Sequence, residues 1–382
     1  MFRTFRNLLL CLLAFGGVCS ARTGAAVPNA EDRRAVLARQ KEHYLQSVQA
    51  LPLLDRHKMS EILQLKVEAG QLAFHTPLEP WPDFEARRLE LEGSSSPASA
   101  IYAQFIANNP SARQFEFKVE DYPAADKYGQ LHFQWRPSAT GRGSDLSIEN
   151  MEQTGHSYVR VFYMQNVGMA RLLVFANDAT ADHNMQSFNY MEKDFASLRQ
   201  SHPAEVEEWL RPMLHRLQQD AVFAPDDNTA WQVFASDWPV RAPAEQAVRE
   251  LLPDLNSQES RVRNRAVDRL TALGRDGASA IARLDRGGLS LEQNIKLDSV
   301  VARFKKLNPA EARRLGDSPD FLLDCQYCDD PTARRLAAVK LHRFLADASL
   351  DTDAPQTERV EAVEKARQAL HSPATTQPAE QH

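Results

Sequence analysis

The stretch Tyr158-Val159-Arg160-Val161-Phe162-Tyr163-Met164 decides the first half of the chain. It is dense in β-branched and aromatic residues, which suit a pleated, half-buried surface. Asn166-Val167-Gly168 follows as a turn signal, and Met169 to Phe175 supplies a second run to pair back on the first. Further out, Phe115-Glu116-Phe117-Lys118-Val119 and Leu131-His132-Phe133-Gln134-Trp135 are apolar at every second position, and Arg87 to Glu92 alternates as well. Period two sends successive side chains to opposite faces of a strand. Residues 84–180 therefore read as a small antiparallel sheet module, with one helix expected over 98–107. Gly141-Arg142-Gly143-Ser144-Asp145 lacks the third glycine of a dinucleotide loop and the Lys-Ser/Thr of a P-loop, so it reads as a hairpin loop.

The flanks carry a helical period. Glu31 to Leu51 is rich in Ala, Arg, Gln and Glu and stops at Pro52. Ile62, Leu65, Ala69 and Leu72 recur at three and four, which predicts a second helix over 55–74. With the linker prolines 77, 80 and 82, residues 22–83 are expected as a helical pair and a stiff connection. Beyond the sheet, Met185, Phe188, Met191, Phe195 and Leu198 predict a helix N-capped by Asp182. The corner of Asp178, Asp182 and His183 could otherwise hold a metal, but capping is the simpler use of Asp182. Pro203 opens another helix, with Val206, Trp209, Leu210, Met213, Leu214 and Leu217 on its buried face and a kink expected at Pro212. Trp231, Phe234 and Trp238 suggest a packed helix and a turn. Residues 181–346 are thus expected to be helical, and 347–382 a last helix and a polar tail. The class is α+β: N-terminal helices, a small antiparallel sheet module, then an all-α C-terminal half.

Within that half two segments match. Glu259 to Leu270 and Asp330 to Leu341 share Arg263 with Arg334, Ala266 with Ala337, and Leu270 with Leu341, at an offset of 71 residues. Leu297, Val300, Val301 and Phe304 form an apolar stripe between them. The pattern Val262-Arg263-x-x-Ala266-x-x-x-Leu270, closed by Leu273-Gly274, resembles HEAT-type helical repeats over about 245–346. Only two copies stand out, and Gly287-Gly288 interrupts the spacing. The resemblance implies helical hairpins that bury their faces against neighbours, and a protein–protein scaffold without chemistry of its own.

The start of the chain has the order of a secretory signal peptide over residues 1–21. Arg3 and Arg6 precede an apolar run from Leu8 to Val18, and small residues Ser20-Ala21 follow. The run is shorter than a bilayer span. Gly16-Gly17-Val18 before Cys19 departs from a lipobox, which argues against a lipid anchor there. Formal charge is −6, and −8 once Arg3 and Arg6 are removed. This acidity leaves no basic footprint for nucleic acid. The expected address is periplasmic or extracellular, with no transmembrane helix in the mature chain.

Chemistry is sparse. Cys325-Gln326-Tyr327-Cys328 is a CxxC, but Asp329 and Asp330 follow it and no second CxxC completes a zinc set. Cys325 and Cys328 read as a structural thiol pair, one buried and one at the surface of a helix–loop boundary, or as one structural disulfide. His132 and His156 read as sheet-face residues. The sequence assigns no catalytic residue, cofactor or metal ligand. It favours an exported, non-enzymatic interaction protein of the bacterial envelope, with another protein as its partner. A ligand- or carbohydrate-binding sheet module built on residues such as Trp135, and an enzyme with a scattered site, are the alternatives. N-terminal sequencing of exported material should begin within a few residues of Arg22; a diacylated Cys19 in the mass spectrum would overturn that cleavage.

Overall fold

The computed structural model describes residues 30–49, 53–57, 62–76, 87–91, 100–107, 113–124, 127–138, 143–154, 157–178, 186–345 and 350–371. The signal segment with Cys19, the linker prolines, Gly141, Arg142, His156, Asp182, His183 and the tail 372–382 lie outside them. The chain is α+β and divides into two units. One holds Met1–Ile62 and Thr76–Met213; the other holds Leu63–His75 and Leu214–His382.

Numbered along the chain, the strands are β1 (Leu53–His57), β2 (Gln64–Glu68), β3 (Gln71–His75), β4 (Arg87–Leu91), β5 (Ala100–Ala107), β6 (Arg113–Ala124), β7 (Lys127–Pro137), β8 (Ser144–Gln153), β9 (Ser157–Asn166), β10 (Met169–Asp178) and β11 (Gln186–Glu192). The first unit holds helix α1 (Ala30–Gln49) and a sheet that, among the described residues, has nine strands in the order β1-β4-β5-β6-β7-β8-β9-β10-β11. From β4 onward every neighbour is antiparallel; β1 pairs with β4 in parallel. The alternation seen in the sequence is the alternation of burial. Phe115, Phe117, Leu131, Phe133, Leu146, Ile148, Val161, Tyr163, Leu172 and Val174 all lie on one buried face. Full burial of each such side chain contributes about 1.5–3 kcal/mol. Tyr163 donates its hydroxyl to Gln165 Oε1 at 2.9 Å, so the polar tip is satisfied inside. The turn expected at Asn166-Val167-Gly168 joins β9 to β10, and Gly168 takes φ 82°, a conformation glycine enters without strain.

Three helical expectations become strands. The stretch 98–107 is β5: Ile101, Tyr102, Phe105 and Ile106 are strand-forming residues, and eight of its residues pair with β6. The stretch that reads as a helix from Asp182 holds β11, and its helix begins only at Phe195, capped by Asp194, which accepts the Ser197 N–H at 2.7 Å. The second N-terminal helix is absent as well. Leu54 and His57 belong to β1, and 64–75 is the β2–β3 hairpin. Leu63, Leu65, Leu72 and Phe74 are buried at period two, and the spacing of Ile62, Leu65, Ala69 and Leu72 imitates a helix by coincidence. Ala69 and Gly70 both have positive φ, 49° and 86°, the demand of a two-residue hairpin turn whose twist matches its strands.

The helical elements are α2 (Phe195–Ser201), α3 over 203–216, α4 (Asp227–Val233), α5 (Ala242–Leu255), α6 (Ser260–Ala272), α7 (Gly274–Ala282), α8 (Leu291–Ala302), α9 (Pro309–Gly316), α10 (Pro319–Asp324), α11 (Pro331–Leu341) and α12 (Gln356–His371). In α3 the chain makes a π turn over Val206–Leu210 just before Pro212, which cannot donate a backbone hydrogen bond. The turn shifts the phase, so Trp209 is half-buried rather than on the buried stripe, while Val206 and Leu210 are fully buried. Trp231 and Phe234 pack in α4 and at its end, as their spacing predicts; Trp231 donates to Ser279 Oγ at 2.6 Å.

The two matched segments have the same local construction. Arg263 Nη1 donates to the carbonyls of Ser257 and Gln258 at 2.7 and 3.1 Å, six and five residues upstream. Arg334 Nη1 donates to Cys328 and Asp329, also six and five upstream, both at 2.8 Å. Each arginine thereby folds the preceding loop onto the start of its own helix. Ala266 and Ala337 are buried, as are Leu270 and Leu341. Arg334 goes further: its Nε donates to Thr352 O at 2.7 Å, and it is 9% exposed. Unmatched buried carbonyls cost about 1–3 kcal/mol, so Arg334→Met should lose about 2–4 kcal/mol in urea unfolding and Arg263→Met about 1. Equal losses would show that the two arginines are not graded by burial in this way.

Candidate functional site

The helix ends of the second unit converge on a groove of about 320 Å³. It is lined by Trp238, Pro239, Arg241, Leu273, Gly274, Arg275, Asp276, Asp330 and Thr332, and each contribution follows from the local fold. Arg241 is the residue before α5, Gly274 opens α7, and Asp330 caps α11 by accepting the Thr332 N–H at 2.8 Å. Three helix N-termini, which carry partial positive charge, therefore face one space. Trp238 is held from behind by Arg283, which donates to the carbonyls of Ser236 and Trp238 at 2.9 and 2.5 Å.

Charge in the groove is internally matched. Arg275 pairs with Asp227 at 2.9 Å and with Asp330 at 3.5 Å, and its guanidinium lies 5.9 Å from the centre of the Trp238 ring. Arg241 reaches Asp276 at 3.4 Å. The Arg241–Asp276 pair, with its arginine largely in water, contributes less than about 1 kcal/mol, while Arg275 and Asp330 are both mostly buried. A partner's polar group can displace the Arg241–Asp276 pair at small cost. What the site offers is a polar concavity at three helix starts, with two arginines and their carboxylate partners at its rim.

Trp238, Leu273, Gly274 and Asp330, which the sequence marks for packing or for the repeat, line the groove, while the residues weighed for chemistry fall elsewhere. Cys325 and Cys328 are both buried, and neither is in a disulfide. Cys325 opens the short 3-10 turn Cys325–Tyr327 after α10, and Cys328 Sγ lies 3.7 Å from the carbonyl of Pro225. A surface position for one of the pair is therefore corrected: the same loop whose carbonyl Arg334 binds folds Cys328 inward. His132 stands on the half-buried face of the sheet, 2.7 Å from Glu116 Oε1. That hydrogen bond from the imidazole holds the Glu116 carboxyl below the usual carboxylate range. Trp135 lies on the face of Leu131 and Phe133 and is half-buried. Asp178 ends β10.

No sequence signal marks the groove residues as a site. Asp330 and Arg275 stand 55 positions apart, and only the folding of α7 against its neighbours brings them together. A comparison with family models, with curated proteins and with solved structures returns no match. No helix among the described residues is long and apolar enough to cross a membrane. Because both thiols are buried, a disulfide reagent should modify neither in the folded protein and both after urea unfolding; rapid labelling of one native cysteine would contradict their placement.

Proposed function

We propose that the protein is an exported, non-enzymatic scaffold of the bacterial envelope that binds another protein through the helix-end groove, in the manner that the HEAT-like repeats imply. The observation that carries this is the groove itself: three helix N-termini, two ion-paired arginines and Trp238 around one polar concavity. Such a surface suits a protein loop carrying an Asp or Glu. The carboxylate exchanges with Asp330 or Asp276 for an arginine, over a floor that the buried Trp238 supports from below. The repeated arginine cradle supports the scaffold reading, because it fixes the loop that presents Asp330. Export rests on the order Arg3, Arg6, apolar run, Ser20-Ala21.

The test is site-specific photo-crosslinking from Thr332 in the native envelope. One defined adduct should form, and Arg275→Glu should abolish it while the far-UV spectrum stays unchanged. An adduct that survives Arg275→Glu, or one that forms only from the exposed Leu291, would place the interface elsewhere and overturn the reading.

A further inference from the structure

Within the second unit, His215 at the end of α3, Asp220 at the start of the 3-10 turn Asp220–Phe223 and Glu364 on α12 bring one ligand atom each to within 4.8 Å of one another. We propose that these three side chains form a binding site for a divalent transition-metal ion of the Zn²⁺ or Mn²⁺ kind, which clips α12 to the Asp220 turn.

The geometry is close to what such an ion needs. A tetrahedral ion with bonds of about 2.0–2.2 Å holds its ligand atoms about 3.3–3.5 Å apart. His215 Nδ1 hydrogen-bonds to the two oxygens of Asp220 at 3.1 and 3.2 Å, and an ion entering between them would replace that proton at nearly the same spacing. Glu364 lies within 4.8 Å of the other two ligand atoms, so a small inward shift of its side chain closes whatever gap is left. Its side chain is long and half-buried, and the bond it accepts from Gln368, at 3.2 Å, is exposed and easily exchanged. Asp220 is the anchor: only 1% of its surface meets water. A second carboxylate this near a buried one repels it, and a divalent cation between them turns repulsion into attraction. One imidazole and two carboxylates are a mixed nitrogen and oxygen set, which suits Zn²⁺, Mn²⁺ or Fe²⁺ and does not suit Cu⁺. Three protein ligands leave at least one coordination position for water or for a group on a partner.

The site also has a mechanical setting. The residue before Asp220 is Gln219, whose side chain binds the β2–β3 hairpin at Leu63 and Leu65. The ion would tie two distant pieces of sequence together at that point: the α3 end with the turn that follows it, and the C-terminal helix.

The test uses the full chain after chelator treatment, titrated with Zn²⁺, Mn²⁺ and Co²⁺ by calorimetry and followed in thermal melts. The wild type should take up one equivalent and melt at a higher temperature with metal than without. His215→Gln and Glu364→Gln should melt like the metal-free wild type. Losing even an outer-sphere partner of a metal weakens affinity about 10- to 100-fold, so these variants should bind at least about tenfold more weakly. The double Cys325→Ser, Cys328→Ser variant should keep full stoichiometry, and the Co²⁺ spectrum should lack a thiolate charge-transfer band. Absence of uptake by the wild type, undiminished affinity in Glu364→Gln, or a thiolate band would each overturn the proposal.

Discussion

One side-chain amide ties the β2–β3 hairpin into the second unit. A two-stranded hairpin is marginal in water and leaves its edge groups unpaired. Here the open edge of β2 meets Gln219, whose Oε1 accepts the Leu65 N–H at 2.7 Å and whose Nε2 donates to Leu63 O and Leu217 O, both at 3.0 Å. Gln219 thus serves as a one-residue third strand. It is buried, so no water can replace it at an unmade bond. Once the edge is closed, Leu63, Leu65, Leu72 and Phe74 can bury beside Val222 and Phe223 of the turn that β2 packs against. A hairpin taken from the middle of the first unit's sequence becomes part of the helical unit through this contact.

Arginine does the equivalent work among the helices. Arg263 and Arg334 each gather the two carbonyls that enter their helix, so each loop is fixed by its own first turn. The second copy adds a lattice: Gln326 Nε2 donates to Arg334 O at 3.0 Å, and Arg359 Nε donates to Gln326 O at 3.1 Å. Asp324 and Arg367 close the far side with a buried pair at 2.8 Å. Because Arg334 holds Cys328 and Asp329, the next residue, Asp330, enters the groove at a fixed position. The groove is thus a consequence of how these loops are tied.

How much of this could be read in the sequence depended on the range of the interaction. The hairpin Tyr158 to Phe175 was legible because period two, a glycine turn and β-branched residues agree over neighbouring positions. The helix over 30–49 and the burial of Ala266, Leu270, Ala337 and Leu341 were legible for the same local reason. The strand 64–68 was not, because four apolar residues at helical spacing outweigh alternation in so short a run, and the amide that stabilises it lies 154 residues away. In 182–198 the strand β11 was lost because Phe188, Met191 and Phe195 happen to keep helical intervals across a strand and a cap. The cysteine pair was visible as a motif, but its burial was decided by Arg334. Neither Arg275 with Asp330 nor His215 with Asp220 and Glu364 has a spacing that chemistry would single out; tertiary packing alone unites them.

The amide proton of Leu65 reports most directly on the Gln219 contact. Native-state hydrogen exchange should show it protected to nearly the full unfolding free energy of the second unit, and Gln219→Ala should release it together with the rest of β2 while the α5 amides stay protected. Exchange of Leu65 at an open-chain rate in the wild type, or protection unchanged in Gln219→Ala, would contradict the account.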